Sequence, residues 1–146
     1  MQDIIEREII IKATKEQVYD AIAKPDQVVL WFPETLEGNY AINEQPVFGF
    51  GENGKNQVYI VDAKPHSYFA YRWLPGANNF LGDVLSVPNT LVEFHIAELG
   101  DDTCKVTVKE SGFKTLSADY MEQALEQNSK GWNFMMGRLV NYLETR

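Results

Sequence analysis

The two histidines and one cysteine of this chain, His66, His95 and Cys104, are spaced neither for nucleophilic catalysis nor for metal binding. Nucleophilic catalysis needs a nucleophile, a base and an orienting carboxylate in one place, and two scattered histidines define no such set. A zinc site needs closely spaced Cys, His or carboxylate ligands, which no segment offers. His66 follows Pro65 in a turn and reads as a solvated loop residue. His95 is out of phase with Val92, Phe94 and Ile96, which predicts the outer face of a strand; turned inward, it would be the best proton-transfer group present. Cys104 keeps the phase of Val106 and Val108 and reads as buried and inert. Gly49, Gly51 and Gly54 precede no helix start, so they make bends and not a phosphate cradle. Arg72, between Tyr71 and Trp73, reads as an outward strand residue; facing inward, it would anchor a ligand carboxylate or pair with Glu93. Glu110 reads as a strand end or its cap. No cofactor and no metal are expected.

Non-covalent binding has more material behind it. Trp31, Phe32, Phe48, Phe50, Tyr59, Tyr71, Trp73, Phe94, Phe113, Trp132, Met135 and Met136 are assigned to the interior, with Leu139 beside the last three. Any one of them is explained as core filling. Together, rigid aromatic rings beside flexible methionines suit a pocket that adapts to an apolar ligand. Arg72, His95 or a tyrosine hydroxyl would serve as its polar anchor.

A helix and a sheet must position these side chains. Leu125, Trp132, Met136, Leu139 and Leu143 recur at steps of seven, four, three and four residues, the seam of an amphipathic helix over 131–144. Such a seam needs a large apolar partner, and most of the preceding chain reads as strands. Residues 4–12 form the first, rich in isoleucine. Thr14 with Gln17 makes a capping box for a helix presenting Val18, Tyr19 and Ile22, which stops before Pro25. Asp26 is the expected cap of a second short helix over 27–31, ended by Pro33. Strands are then expected over 36–42, 46–50, 57–63 and 67–74, the last with Phe69, Tyr71 and Trp73 on one face. Residues 75–88 read as a long connection, with more apolar side chains (Phe80, Leu81, Val84, Leu85) than a solvated loop needs. The clearest hairpin joins 89–99 to 103–111 across Gly100-Asp101-Asp102. This order predicts an α+β fold, an antiparallel sheet of about six to seven strands around a long C-terminal helix.

Composition narrows the partners. A chain of 146 residues, 45% hydrophobic, can bury a sizeable core, and the expectation is a single domain over 1–146. A formal net charge of −8 with no Lys/Arg cluster argues against nucleic acid and anionic membrane surfaces. No run approaches the roughly 18 apolar residues of a membrane span. One cysteine forms no internal disulfide, in keeping with a cytoplasmic location. Oligomeric state is left open.

Several segments together resemble the START-like, or helix-grip, superfamily of polyketide cyclase and Bet v 1-like proteins. Within it the chain looks most like the branch related to the C-terminal domain of the activator of Hsp90 ATPase. The resemblance rests on Ala13-Thr14-Lys15-Glu16-Gln17-Val18-Tyr19, Trp31-Phe32, Val61-Asp62-Ala63-Lys64-Pro65-His66 and Tyr71-Arg72-Trp73. It continues through Thr90-Leu91-Val92-Glu93-Phe94, Glu110-Ser111-Gly112-Phe113 and Gly131-Trp132 with Leu139 and Leu143. It implies a curved sheet gripping the terminal helix with a cavity between them. The stretch 75–88 is longer than the compact branch leads one to expect.

Three functions follow as expectations. The first is non-enzymatic binding of a small hydrophobic or amphipathic molecule in that cavity. The second, from the closest branch, is an interaction module regulating an Hsp90-type chaperone. The third is a cavity enzyme of cyclase, dehydratase or hydrolase type acting by positioning, for which no pair of titratable residues stands out.

Overall fold

The computed structural model describes residues 3–75 and 79–145. Seven antiparallel strands form one sheet in the order β1-β7-β6-β5-β4-β3-β2. They are β1 (Ile4–Ile11), β2 (Thr35–Glu37), β3 (Val47–Gly49), β4 (Lys55–Lys64), β5 (Tyr68–Trp73), β6 (Thr90–Gly100) and β7 (Thr103–Ser111). Helices α1 (Lys15–Ala23) and α2 (Pro25–Val28) follow β1, and α3 (Ala118–Glu144) closes the chain. Register shifts at Ile60/Asp62 and Glu98/Gly100 interrupt the ladders, and such bulges bend and twist a sheet. The result is a curved sheet with α3 in its grip, the α+β helix-grip fold.

Local chemistry accounts for the elements. Thr14 Oγ1 accepts from Gln17 N at 3.1 Å while Gln17 Oε1 accepts from Thr14 N at 2.9 Å, a complete capping box. The second helix differs from its expected span of 27–31. It starts at Pro25, with Lys24 as cap and Asp26 inside the first turn, because proline's fixed φ and missing N–H suit the first helical position. The strands expected over 36–42 and 46–50 contract to β2 and β3, and the chain between them is irregular. There the Tyr40 hydroxyl donates to Ile22 O at 2.8 Å.

The terminal helix begins thirteen residues before position 131, at Ala118, and runs for 27 residues. Its first half carries Met121 and Ala124 on the buried side among good helix formers. The connection after β5 is partly structured. Phe80 bridges Asn56 in parallel fashion, and Val84 is buried in a short 3-10 turn capped by Asp83. Residues 76–78 of that connection lie outside the described residues. Gly112, at φ 96°, turns the chain directly after β7 so that Phe113 returns to the core. A residue with a β-carbon would be strained there. One continuous apolar cluster draws on β1, β3–β7, α1 and α3.

Candidate ligand-binding site

The site is assembled by side chains that share a phase along three neighbouring strands. On β7, Cys104, Val106, Val108 and Glu110 all point inward. On β6, Thr90, Val92 and Phe94 do so, and on β5, Phe69, Tyr71 and Trp73. The register sets Trp73 opposite Thr90 and Val92 opposite Glu110. From the other side, α3 presents Asn128 and Trp132, one helical turn apart.

These residues converge on Glu110, a carboxylate with 0% exposure. Its Oε2 accepts from Trp73 Nε1 at 2.9 Å and Thr90 Oγ1 at 2.6 Å. Its Oε1 accepts from Asn128 Nδ2 and Trp132 Nε1, each at 2.8 Å. Four donors on two oxygens fill the acceptor sites of a carboxylate, and charge-assisted bonds of this length are strong ones. The network ties β5, β6, β7 and α3 together and holds two indoles in fixed orientations. Their rings lie 6.2 Å apart, inclined by 35°.

Beside this network a pocket of about 130 Å³ opens between sheet and helix. It is lined by Phe32, Phe50, Trp73, Asn128, Gly131, Trp132 and Met135. Phe32 is its hub, with ring centroids 5.5 Å from Trp132, 5.8 Å from Phe50 and 6.0 Å from Trp73. Asn128 is its one side-chain amide, and no lining residue is charged.

Of the interior positions expected from sequence, Phe32, Phe50, Trp73, Trp132 and Met135 lie on the pocket wall. Trp31, Phe48, Tyr71, Phe94, Phe113, Met136 and Leu139 lie in the packed core. Trp31 is held there by an Nε1 bond to Ala21 O at 2.8 Å. Tyr59 departs from its expected place. It has the opposite phase to buried Val58 and Ile60, and its hydroxyl donates to Asn43 Oδ1 at 2.8 Å.

Neither suggested polar anchor reaches the pocket. Arg72 is paired with Tyr59 across the ladder and donates to Asn89 Oδ1 at 3.0 Å. Glu93 instead accepts from the Tyr68 hydroxyl at 2.6 Å. His95 is exposed, with its ring 5.1 Å from Tyr68. The polar groups beside the pocket that sequence reasoning missed are Glu110 and Asn128. The alternation Cys104, Val106, Val108 extends by one step to Glu110, and Asn128 stands four residues before Trp132. Glu110 does lie at the strand end, one residue before β7 closes at Ser111, but its inward phase went unread.

Burial acts on the tyrosines around the site. It pushes the Tyr71 phenol well above its ordinary value, with the Glu110 charge adding to the effect. Burial likewise raises Tyr40. The Tyr71 hydroxyl is buried with no hydrogen-bond partner among the described residues. Cys104 is buried, and burial raises its thiol. No group of metal-ligating side chains occurs among the described residues, and no helix among them is long and apolar enough to cross a membrane.

A curved sheet gripping a long helix, with an aromatic pocket at their junction, defines a helix-grip module of the ligand-binding or regulatory class. Residues 12–144 match the family described as Activator of Hsp90 ATPase homolog 1-like protein, and the chain belongs to that family. Among solved structures, DynU16, a protein in the dynemicin biosynthetic locus, superposes with a TM-score of 0.78 at 23% identity. That match covers 99% of this chain and 48% of DynU16, so the chain spans about half the length of that relative. Protein MLL2253 from Mesorhizobium loti gives 0.78 at 16% identity, covering 97% of each chain. The Aha1 dimer from Colwellia psychrerythraea gives 0.75 at 17%, covering 98% of this chain and 97% of that one. At these identities the likeness is one of fold. No curated protein matches the chain in sequence.

Proposed function

We propose that this protein binds a small apolar or amphipathic molecule in the pocket between its sheet and α3, without covalent chemistry. The observation that carries the reading is the pocket itself, about 130 Å³ walled by Phe32, Phe50, Trp73, Trp132 and Met135. A dry apolar cavity of about 150 Å³ accepts benzene, so the fitting ligand is one ring, a short chain, or the apolar end of something larger. The rings are pre-positioned by the Glu110 network, which lowers the ordering cost of binding. Trp73 and Trp132 line the site and report on it. Titration with toluene should change their fluorescence saturably, and native mass spectrometry of protein purified from its own cell should show a bound small molecule. A flat titration together with an empty protein would remove the reading. The buried single thiol suits a reducing compartment, and the reading places the protein in the cytoplasm.

A second reading is favoured by the family match and by the outer side of α3. There Leu30 and Phe134 are 57% and 63% exposed beside a surface hollow that includes Arg138. Exposed apolar side chains next to a hollow suit a protein partner, in this reading an Hsp90-type chaperone whose ATPase the module regulates. The chaperone's ATPase rate with and without the protein tests this. An unchanged rate counts against it, and a stimulation that Phe134→Asp abolishes supports it.

A further inference from the structure

We infer that the Glu110–Asn128 pair sets the polarity of the pocket, so that it selects ligands bearing an O–H or N–H donor and no negative charge. The inference rests on the binding reading above and narrows its ligand class. A carboxamide has a donor end and an acceptor end, and the environment decides which way each faces. The Asn128 Nδ2 end is committed to Glu110 Oε1 at 2.8 Å. The reverse orientation would set the amide oxygen against a carboxylate oxygen. Asn128 lines the pocket, and its Oδ1 accepts from no donor among the described residues. What Asn128 has left to offer a ligand is therefore an acceptor.

The other polar groups nearby cannot reverse that sign. The indole N–H groups of Trp73 and Trp132 are both engaged by Glu110. Phe32, Phe50, Gly131 and Met135 bring no side-chain donor. No lysine or arginine lines the pocket, and Arg72 is engaged by Asn89. A ligand carboxylate entering here would meet the Glu110 charge with no counter-charge, which is unfavourable in a partly desolvated site. A one-ring alcohol, phenol or amine fits both the volume and the polarity. A short carboxylic acid fits the volume alone.

The test compares phenol, toluene and benzoate at pH 7, read by the indole N–H signals of Trp73 and Trp132 in proton–nitrogen NMR. In the natural protein, phenol should bind about tenfold tighter than benzoate, the discrimination one misplaced charge or lost hydrogen bond provides. Asn128→Leu should lower the phenol-to-toluene affinity ratio about fivefold, the equivalent of one neutral hydrogen bond, while toluene still binds. Glu110→Gln removes the charge at the cost of setting an amide NH2 against two of the four donors; in its folded form it should relax the discrimination against benzoate. If Asn128→Leu does not fold, the phenol and benzoate affinities of the natural protein and of Glu110→Gln decide the matter. Benzoate binding as tightly as phenol to the natural protein, or an unchanged phenol-to-toluene ratio in a folded Asn128→Leu, overturns this inference and leaves the binding reading standing. Failure of all three probes to bind overturns both.

Discussion

The two ends of the α3 seam do opposite things with the same kind of surface. Toward the C-terminus, Met136, Leu139 and Leu143 are packed into the core, and Leu139 has 0% exposure. That half is pinned at its rim by Arg7 Nε on Asn133 Oδ1 at 2.6 Å and Lys12 N on Glu144 Oε2 at 3.0 Å. Toward the middle, Asn128, Gly131, Trp132 and Met135 leave a pocket instead. The difference lies in what meets the helix. Aliphatic side chains close on one another until no gap remains. Two indoles tied to a buried carboxylate cannot slide into the adjacent space without losing their bonds, so the space persists. A polar network holds open what apolar packing would have closed.

The largest effects should come from dismantling that network. Glu110→Ala strands four donors, and removing one side of a buried charged network costs about 3–5 kcal/mol. Chemical denaturation should show a loss of that size, or no folded protein at all. A loss under about 1 kcal/mol would mean the network does not hold the helix. At the solid end, Leu139→Ala should cost about 2–5 kcal/mol through the cavity it leaves. Toluene affinity at the pocket should stay the same in this variant, and a change there would show that the two ends are coupled.

Two smaller changes should raise stability. The Tyr71 hydroxyl is buried without a partner among the described residues, so Tyr71→Phe removes an unsatisfied group and should gain about 1 kcal/mol. The raised Tyr71 and Tyr40 phenols also set a pH window. In the folded state both stay protonated past their ordinary value near 10, whereas the unfolded chain releases those protons. Stability is therefore fully present below about pH 10 and falls as pH rises beyond it. Thermal melts from pH 8 to 11 should show the decline, and Tyr71→Phe should make it shallower. Gly131→Ala should gain about 0.5–1 kcal/mol from helix propensity. An added methyl meets nothing within 4 Å there. Because Gly131 lines the pocket, the same methyl takes up ligand space, and toluene should bind more weakly to the more stable variant. A gain in both would separate the glycine from the pocket.

The strands with strict alternation were readable in advance because a period of two is a local property. The 103–111 span is β7 as written, and the Thr14–Gln17 box needs four consecutive residues to be recognised. The failures lie where the partner is distant. The first half of α3 carries Met121 and Ala124 among polar residues, too sparse a stripe to announce itself. Tyr59 has an aromatic ring that suggested the interior, yet its place in the β4 alternation puts it on the other face. Composition misled there, and phase would have corrected it.

Sequence by itself determined the elements, the inward phase of β5, β6 and β7, and the apolar seam of α3, because alternation and helical period act between near neighbours. It also contained Glu110 in phase and Asn128 one turn from Trp132. That these meet was decided by the tertiary structure alone. Trp73, Thr90, Glu110, Asn128 and Trp132 come from three strands and a helix, and they converge only when strand register and helix docking are both set. A carboxylate in an apolar strand looks like a strand end until four donors from elsewhere in the chain make its burial tolerable. Those donors, acting across the fold, are the physical reason the pocket exists where it does.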